Sequence, residues 1–264
     1  MYGFDYHRPG SVADATSALG GADDGKYLAG GQTLLATMKQ RLAAPSDLVD
    51  LGGIADLKGI SVSGGTVTIG ATTTHAEVAA SADVQGAIPS LAALAGDIGD
   101  RQVRNAGTIG GSLAHNDPAA DYPAAILALG ATVTTNKREI AADDFIKGLF
   151  ETALEEDEII TSVSFPAPTS GAYMKFKQPA SRFALVGVYV AKTADGVRVA
   201  VTGATSHAHR GPRLEAALNE NFSASAVDGV EIPVDHMNVD IHAGAEYRAN
   251  LVKVMAKRAV EACG

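Results

Sequence analysis

The sequence predicts an α+β fold in two domains, on three observations. Short β-like runs and helical runs alternate with Gly-Gly breaks through the first part of the chain. An uncharged segment, Pro166-Ala167-Pro168-Thr169-Ser170-Gly171, then separates two differently organised halves. Beyond it, Tyr173–Lys177, Ala184–Ala191 and Val197–Thr202 run apolar or alternate, the pattern of a small antiparallel sheet. A chain of 264 residues suits one large domain or two ordinary ones. The expected division is 1–168 and 169–264.

The elements follow in order. Phe4–His7 reads as a strand and Arg8-Pro9-Gly10 as a turn, with Ser11 the N-cap of a helix to about Leu19 and Asp14 completing a capping-box-like pair. Tyr27-Leu28-Ala29 looks like a strand, Gly30-Gly31-Gln32 is a break, and Thr33–Leu42 has helical spacing until Pro45. Leu48–Leu51, Ile60–Val62 and Thr66–Ile69 are short strands, followed by helices from His75 and around Ser90–Ile98. A second glycine break, Gly110-Gly111, leads through Leu113–Ala120 into a helix at Asp121–Leu129. Strands at Thr132–Thr135 and Ile159–Phe165 complete this half. After the sheet come helices at Pro212–Leu218 and Ala245–Ala262, the latter with Tyr247, Leu251, Val254, Met255 and Ala259 on one face.

Composition narrows the function. Apolar residues make up 46% and charged residues 19%, a globular balance. The net charge of -9 opposes sequence-independent nucleic-acid binding, which needs clustered Lys and Arg. No stretch is long and apolar enough to span a bilayer, and the N-terminus has neither a basic start nor an apolar core before a cleavage site, so cytoplasm is the default. The single Cys263 cannot ligate an iron–sulfur cluster. G-x-G-x-x-G, G-x-x-x-x-G-K-[ST], H-E-x-x-H and C-x-x-C are all absent, so Rossmann, P-loop and zinc-protease readings lose support. Glu155-Glu156-Asp157-Glu158 reads as a solvated turn, and His207 and His209 lack a nearby carboxylate or cysteine to make a metal site.

What stands out is glycine, at 29 residues, and above all the two Gly-Gly breaks ahead of helices. Bare glycine backbone there exposes several N–H groups in one direction, the requirement for holding a pyrophosphate without Lys or Arg. Two such segments could clamp one dinucleotide, and each alone also fits an ordinary turn.

The residues around these breaks resemble a known family. Ala29-Gly30-Gly31-Gln32-Thr33-Leu34-Leu35 and Thr108-Ile109-Gly110-Gly111-Ser112-Leu113-Ala114-His115-Asn116-Asp117-Pro118-Ala119-Ala120-Asp121-Tyr122-Pro123 resemble the flavin-binding (medium) subunit of molybdenum hydroxylases of the xanthine and carbon monoxide dehydrogenase type. Phe4–Pro9, Lys175-Phe176-Lys177-Gln178-Pro179-Ala180-Ser181-Arg182 and Ala245-Glu246-Tyr247-Arg248 extend the likeness over nearly the whole chain. Two places depart from the family pattern: Thr205–Arg210, and Ala106 where relatives often carry an arginine.

The resemblance implies a two-subdomain FAD-binding domain of the vanillyl-alcohol-oxidase (PCMH) type and a small C-terminal α+β domain. It also implies that backbone amides of Gly30, Gly31, Gln32, Thr33 and Leu34, joined by Gly110, Gly111 and Ser112, hold the FAD pyrophosphate, with Ala29 and Thr108 among the cofactor-binding residues. His115 and Asp121 would bond ribityl or ribose hydroxyls, Ile160 would lie near the adenine, and Tyr173 and Lys177 near the flavin ring. Each of these four polar residues has a structural alternative: Asp121 as a helix cap, His115 as a turn residue, Tyr173 as core and Lys177 as a solvated edge.

The implied function is electron transfer: FAD here takes electrons from iron–sulfur clusters of a small subunit, fed by a molybdopterin-binding large subunit, and passes them to an external acceptor. A dimer of heterotrimers is the implied assembly. The alternative is a stand-alone FAD oxidase of a small alcohol or amine, which needs its own base, with His75 and His115 as candidates.

Overall fold

Strands β1 (Asp5–His7), β2 (Gly25–Leu28) and β3 (Asp47–Asp50) form a parallel sheet in the order β1-β3-β2 in the computed structural model, which describes residues 1–263. Helix α1 (Val12–Gly20) joins β1 to β2, and α2 (Leu34–Lys39) lies between β2 and β3. The Ser11 hydroxyl caps α1, accepting from the Asp14 amide at 3.1 Å and donating to its carboxylate at 2.7 Å. Ala15, Val49, Leu51, Ile54, Leu57 and Ile159 make the small core of this unit.

The antiparallel pair β4 (Ile60–Ser63) and β5 (Thr66–Gly70) follows, then six helices: α3 (His75–Ala80), α4 (Ala82–Ala87), α5 (Pro89–Gly96), α6 (Arg101–Ala106), α7 (Ile109–His115) and α8 (Tyr122–Leu129). Next come β6 (Thr132–Thr135), β7 (Glu139–Ala141), α9 (Ala142–Phe145), a small hairpin of β8 (Ile146–Gly148) and β9 (Glu151–Thr152), and β10 (Ile160–Pro166). Strand β10 inserts between β5 and β6, giving the order β4-β5-β10-β6-β7.

The chain then turns at once into β11 (Ser170–Lys177), β12 (Ala184–Thr193), β13 (Gly196–Thr202) and β14 (His209–Arg210), a four-stranded antiparallel sheet in sequence order. Helices α10 (Pro212–Glu220) and α11 (Ala245–Ala262) complete it, α11 packing on β11 and β12. The fold is thus mixed α and β with several antiparallel sheets. Among the described residues, no helix is long and apolar enough to cross a membrane.

Helix α8 explains its own composition. Every residue from Tyr122 to Leu129 is buried, because α8 packs against β12 and β13 on one side and β10, α5 and α7 on the other. A helix apolar all round belongs in such an interior position.

Three expectations need correction. Gly110 and Gly111 lie inside the first turn of α7, where Thr108 is the N-cap, and not in a loop ahead of a helix. The buried face of α11 includes Leu251, Met255 and Ala259 as expected, but Tyr247 is exposed and Arg248 buried. The Arg248 guanidinium is held by the Leu185 and Gly203 carbonyls at 2.7 and 3.0 Å and by Asp240 at 2.6 Å. An arginine with partners at its tip packs where the apolar pattern alone forbids one.

The acidic run is the third. Glu155 and Asp157 are exposed and paired with Lys137, but the Glu158 side chain has no exposed surface. It accepts from Thr135 Oγ1 at 2.6 Å, from Arg138 Nε and Nη2 at 3.0 Å and from the Glu155 amide at 2.9 Å. The Arg138 hydrogen bond leads the effects that hold the carboxyl down from the ordinary 4.5 to about 2. That lowering stabilises the fold fully above pH 4.5 and is lost as pH falls toward 2, where the folded carboxyl finally takes its proton. Glu158→Gln should therefore cost about 3 kcal/mol at pH 7 and remove that acid sensitivity. Urea midpoints of both proteins between pH 2 and 5 check it; parallel curves would refute the assignment.

Candidate functional site

A cleft of about 590 Å³ is lined by residues from several parts of the chain, from Lys26, Tyr27 and Leu28 to Ser181, Arg182 and Phe183 in sequence. Ala29, Gly30, Gly31, Gln32, Thr33, Leu34, Thr108, Gly110, Gly111, Ser112, His115, Asp121 and Ile160 all line it. Residues scattered over more than a hundred positions of sequence thus meet on one surface.

The first segment is where backbone polarity is exposed. Among the described residues, the N–H groups of Gly30, Gly31, Gln32, Thr33 and Leu34 donate to no group of the chain; the first amide of the segment to do so is that of Leu35, to the Gly31 carbonyl at 3.2 Å. Gly31 has φ +66° and Thr33 is right-handed, so the chain curls here, the kind of backbone whose successive free N–H groups can hold an anion. The α7 segment differs. Its Gly110 amide donates to Ala71 O at 2.9 Å, Gly111 to Thr108 Oγ1 at 3.2 Å and Ser112 to Thr108 O at 3.0 Å. These amides are engaged inside the fold, so what α7 adds to the cleft is a bare glycine surface and the Ser112 side chain.

The glycines permit close packing around the cleft. A Cβ on Gly30 would overlap the Ala106 carbonyl oxygen and meet Gly107 Cα at 2.6 Å, and one on Gly110 would meet Ala71 Cβ at 2.6 Å. On Gly31 it would strike Leu35 Cδ1 at 2.6 Å. In each case the obstacle is protein: Gly30 lets its segment lie on the end of α6, Gly110 lets α7 lie on the backbone just after β5, and Gly31 leaves room for Leu35.

His75 braces this joint from below. Its amide donates to Gly107 O at 2.9 Å, and its ring is buried 5.3 Å from that of Tyr122. Among the described residues, His75 Nδ1 and Tyr122 Oη are buried without a hydrogen-bond partner. Burial first, and Arg104 second, lower the imidazole from 6.5 to about 4.

The part of the cleft around Asp121 is electrostatically built. Asn116, with left-handed φ 48°, anchors the turn after α7 by donating to the Gly148 and Glu151 carbonyls, both at 2.9 Å. Thr202 Oγ1 holds the same turn from β13, donating to Pro118 O at 2.9 Å and Ala120 O at 2.7 Å. Asp121, so placed, makes no side-chain cap on α8. Its carboxylate reaches β11, accepting from Tyr173 Oη at 2.5 Å and Lys175 Nζ at 3.0 Å. His115 stacks on Phe150, ring centres 5.0 Å apart.

Tyr173 and Lys177 do not line the cleft. The Tyr173 hydroxyl is spent on Asp121, and exposed Lys177 pairs with Asp97. The residue sequence reasoning missed is Lys175, whose side chain is 1% exposed between Asp97 and Asp121. Its spacing held a signal: Tyr173, Lys175 and Lys177 alternate along β11 and so share one face. His207 and His209 form no metal group among the described residues.

Residues 2–168 match the family model described as the FAD binding domain in molybdopterin dehydrogenase. The chain is 38% identical over 275 residues to the nicotine 6-hydroxylase medium subunit of Paenarthrobacter nicotinovorans, covering 98% of this chain and 96% of that one. It is 37% identical over 277 residues to the carbon monoxide dehydrogenase medium chain of Hydrogenophaga pseudoflava, with the same coverage. Its fold superimposes on a chain of the reconstituted carbon monoxide dehydrogenase of Oligotropha carboxidovorans with a TM-score of 0.92 at 33% identity, covering 99% and 98% of the two chains.

The depressed His75 pKa has a checkable consequence. Between pH 6.5 and 4 the unfolded imidazole binds a proton that the folded one refuses, so stability falls as pH drops through that window. His75→Gln should remove about 3 kcal/mol of that pH dependence. Denaturant titrations of both proteins at pH 7 and pH 4 measure it, and equal losses in the two would contradict this account.

Proposed function

The chain belongs to the family of FAD-binding subunits of molybdenum hydroxylases, and we propose from this premise how its residues serve electron transfer. It is an oxidoreductase subunit that binds FAD and works with partner subunits carrying molybdopterin and iron–sulfur clusters. The observation that carries the residue assignment is the set of five unengaged N–H groups, Gly30 to Leu34, on a segment that lines the cleft. They fit a pyrophosphate, which needs convergent donors and no basic side chain.

Ser112 would add a hydroxyl to that grip, with Gly110, Gly111 and Thr108 forming the close wall beneath. The end lined by Leu28, Ile159 and Ile160 suits the adenine, and the end holding His115 and Asp121 suits the ribityl chain and flavin ring. Asp121 retains free lone pairs for hydroxyls, since a carboxylate has about four acceptor positions. Tyr173 acts on this end through Asp121, and Lys177 by holding Asp97. Bound FAD supplies the capacity to receive electrons singly and pass them on.

Residues 1–168 are assigned as a two-subdomain FAD domain of the PCMH type and residues 169–264 as the C-terminal domain. Cytoplasmic work in a dimer of heterotrimers completes the proposal. Cys263, half-buried with its thiol raised to about 11 by burial, cannot supply a cluster, so electrons must enter across a subunit interface. A stand-alone oxidase finds no activated base here: His75 is pinned beneath Gly107, and His115 has an aromatic neighbour and no carboxylate bonded to it.

Gly30→Val should abolish FAD retention by pushing its segment off Ala106 and Gly107 at the end of α6, while Gly20→Val, in open space at the end of α1, should leave it intact. Flavin released by heat and counted per chain, with circular dichroism to confirm folding, tests this. Equal flavin in both variants would overturn the assignment of this loop. Expressed with its partners, the complex should reduce an artificial acceptor with one of purines, aldehydes, N-heterocycles or carbon monoxide. Robust turnover by the isolated chain would instead establish the stand-alone oxidase.

A further inference from the structure

The Lys175 side chain is only 1% exposed, and burying an ammonium is costly unless partners repay it. Its Nζ reaches Asp121 at 3.0 and 3.1 Å to the two carboxylate oxygens, the Asp97 carbonyl at 3.0 Å and the Asp97 carboxylate at 3.7 Å. Removing Lys175 would leave Asp121 as a buried carboxylate with a tyrosine for company. Burial raises the Asp121 carboxyl, and Lys175 is the foremost group pulling it back. Tyr173 stays a donor, since burial holds its hydroxyl well above the ordinary value.

The sheet makes room for this cluster. A Cβ on Gly187 of β12 would overlap the Tyr173 hydroxyl, so a glycine there lets the ring lie over β12 and reach Asp121. Two carboxylates, Asp97 and Asp121, face two ammonium groups, Lys175 and Lys177, and the set is charge-balanced. Asp97 closes α5 and Asp121 precedes α8, both in the part that carries the cleft, whereas Tyr173 and the lysines come from β11.

We propose that Lys175 is the positioning residue of the flavin site: it fixes the Asp121 carboxylate, ionised and oriented, so that its free lone pairs accept hydroxyls of the bound cofactor. This rests on the reading of the cleft as the FAD site. The C-terminal sheet thereby contributes to cofactor affinity without lining the central cleft.

The test is FAD affinity of the full chain, measured by fluorescence quenching on deflavinated protein, in a double-mutant cycle. Lys175→Gln should weaken FAD binding roughly tenfold or more, and Asp121→Asn by a similar factor. The double variant should bind no worse than the weaker single one, because Lys175 has no carboxylate left to orient. Lys175→Arg, which keeps the charge, should bind within about threefold of wild type. Unchanged affinity in Lys175→Gln, or losses that multiply in the double variant, would overturn the proposal. If Lys175→Gln does not fold, Lys175→Arg decides alone, and a tenfold loss there counts against it. Failure of the wild type to bind FAD would instead overturn the FAD reading of the cleft, a distinct result.

Discussion

The contact on which the rest depends is backbone against backbone: Gly30, two residues beyond β2, lies on the carbonyl of Ala106 and on Gly107, leaving no space for a Cβ. This contact sets how closely the parallel sheet and the helical part approach, and hence the width of the cleft. His75 is wedged beneath the same joint, which explains why a histidine is tolerated neutral and deeply buried at that place.

Position at the other end of the cleft is transmitted from further away. Buried Arg248 on α11 grips the Gly203 carbonyl, the Gly203 amide donates to Pro118 O at 2.7 Å, and Thr202 holds Pro118 and Ala120. Gly203 has φ +79°, and its absent side chain would overlap the Ala184 carbonyl, so the strand end can turn only with glycine there. The turn carrying Asp121 is thus fixed by hydrogen bonds from α7, β13 and, indirectly, the last helix. Charge follows the same logic as shape. Glu158, Asp121, Lys175 and Arg248 are all buried, and each meets opposite charge or carbonyl oxygen within 3.1 Å. Such groups are tolerated in an interior only when paired in this way.

Local chemistry was legible in the sequence wherever one segment decides its own shape. The Ser11 cap, the bounds Ala245–Ala262 of the last helix and the strands after Pro168 follow from capping, periodicity and alternation, interactions within a few residues. The two glycine segments could be singled out for the same reason, since glycine pairs in an apolar context mark unusual backbone. Their ordered surroundings also carried the likeness to flavin subunits over the whole chain. What required the tertiary structure was every property set by a partner distant in sequence. That Gly110 sits within a helix whose amides bond to Ala71 and Thr108, that Glu158 is buried by Arg138, and that Asp121 answers to Lys175 and not to its own helix depend on which strands lie beside which. Periodicity reports which side of an element is covered; it carries no information on what covers it, and a buried charge is decided entirely by what covers it.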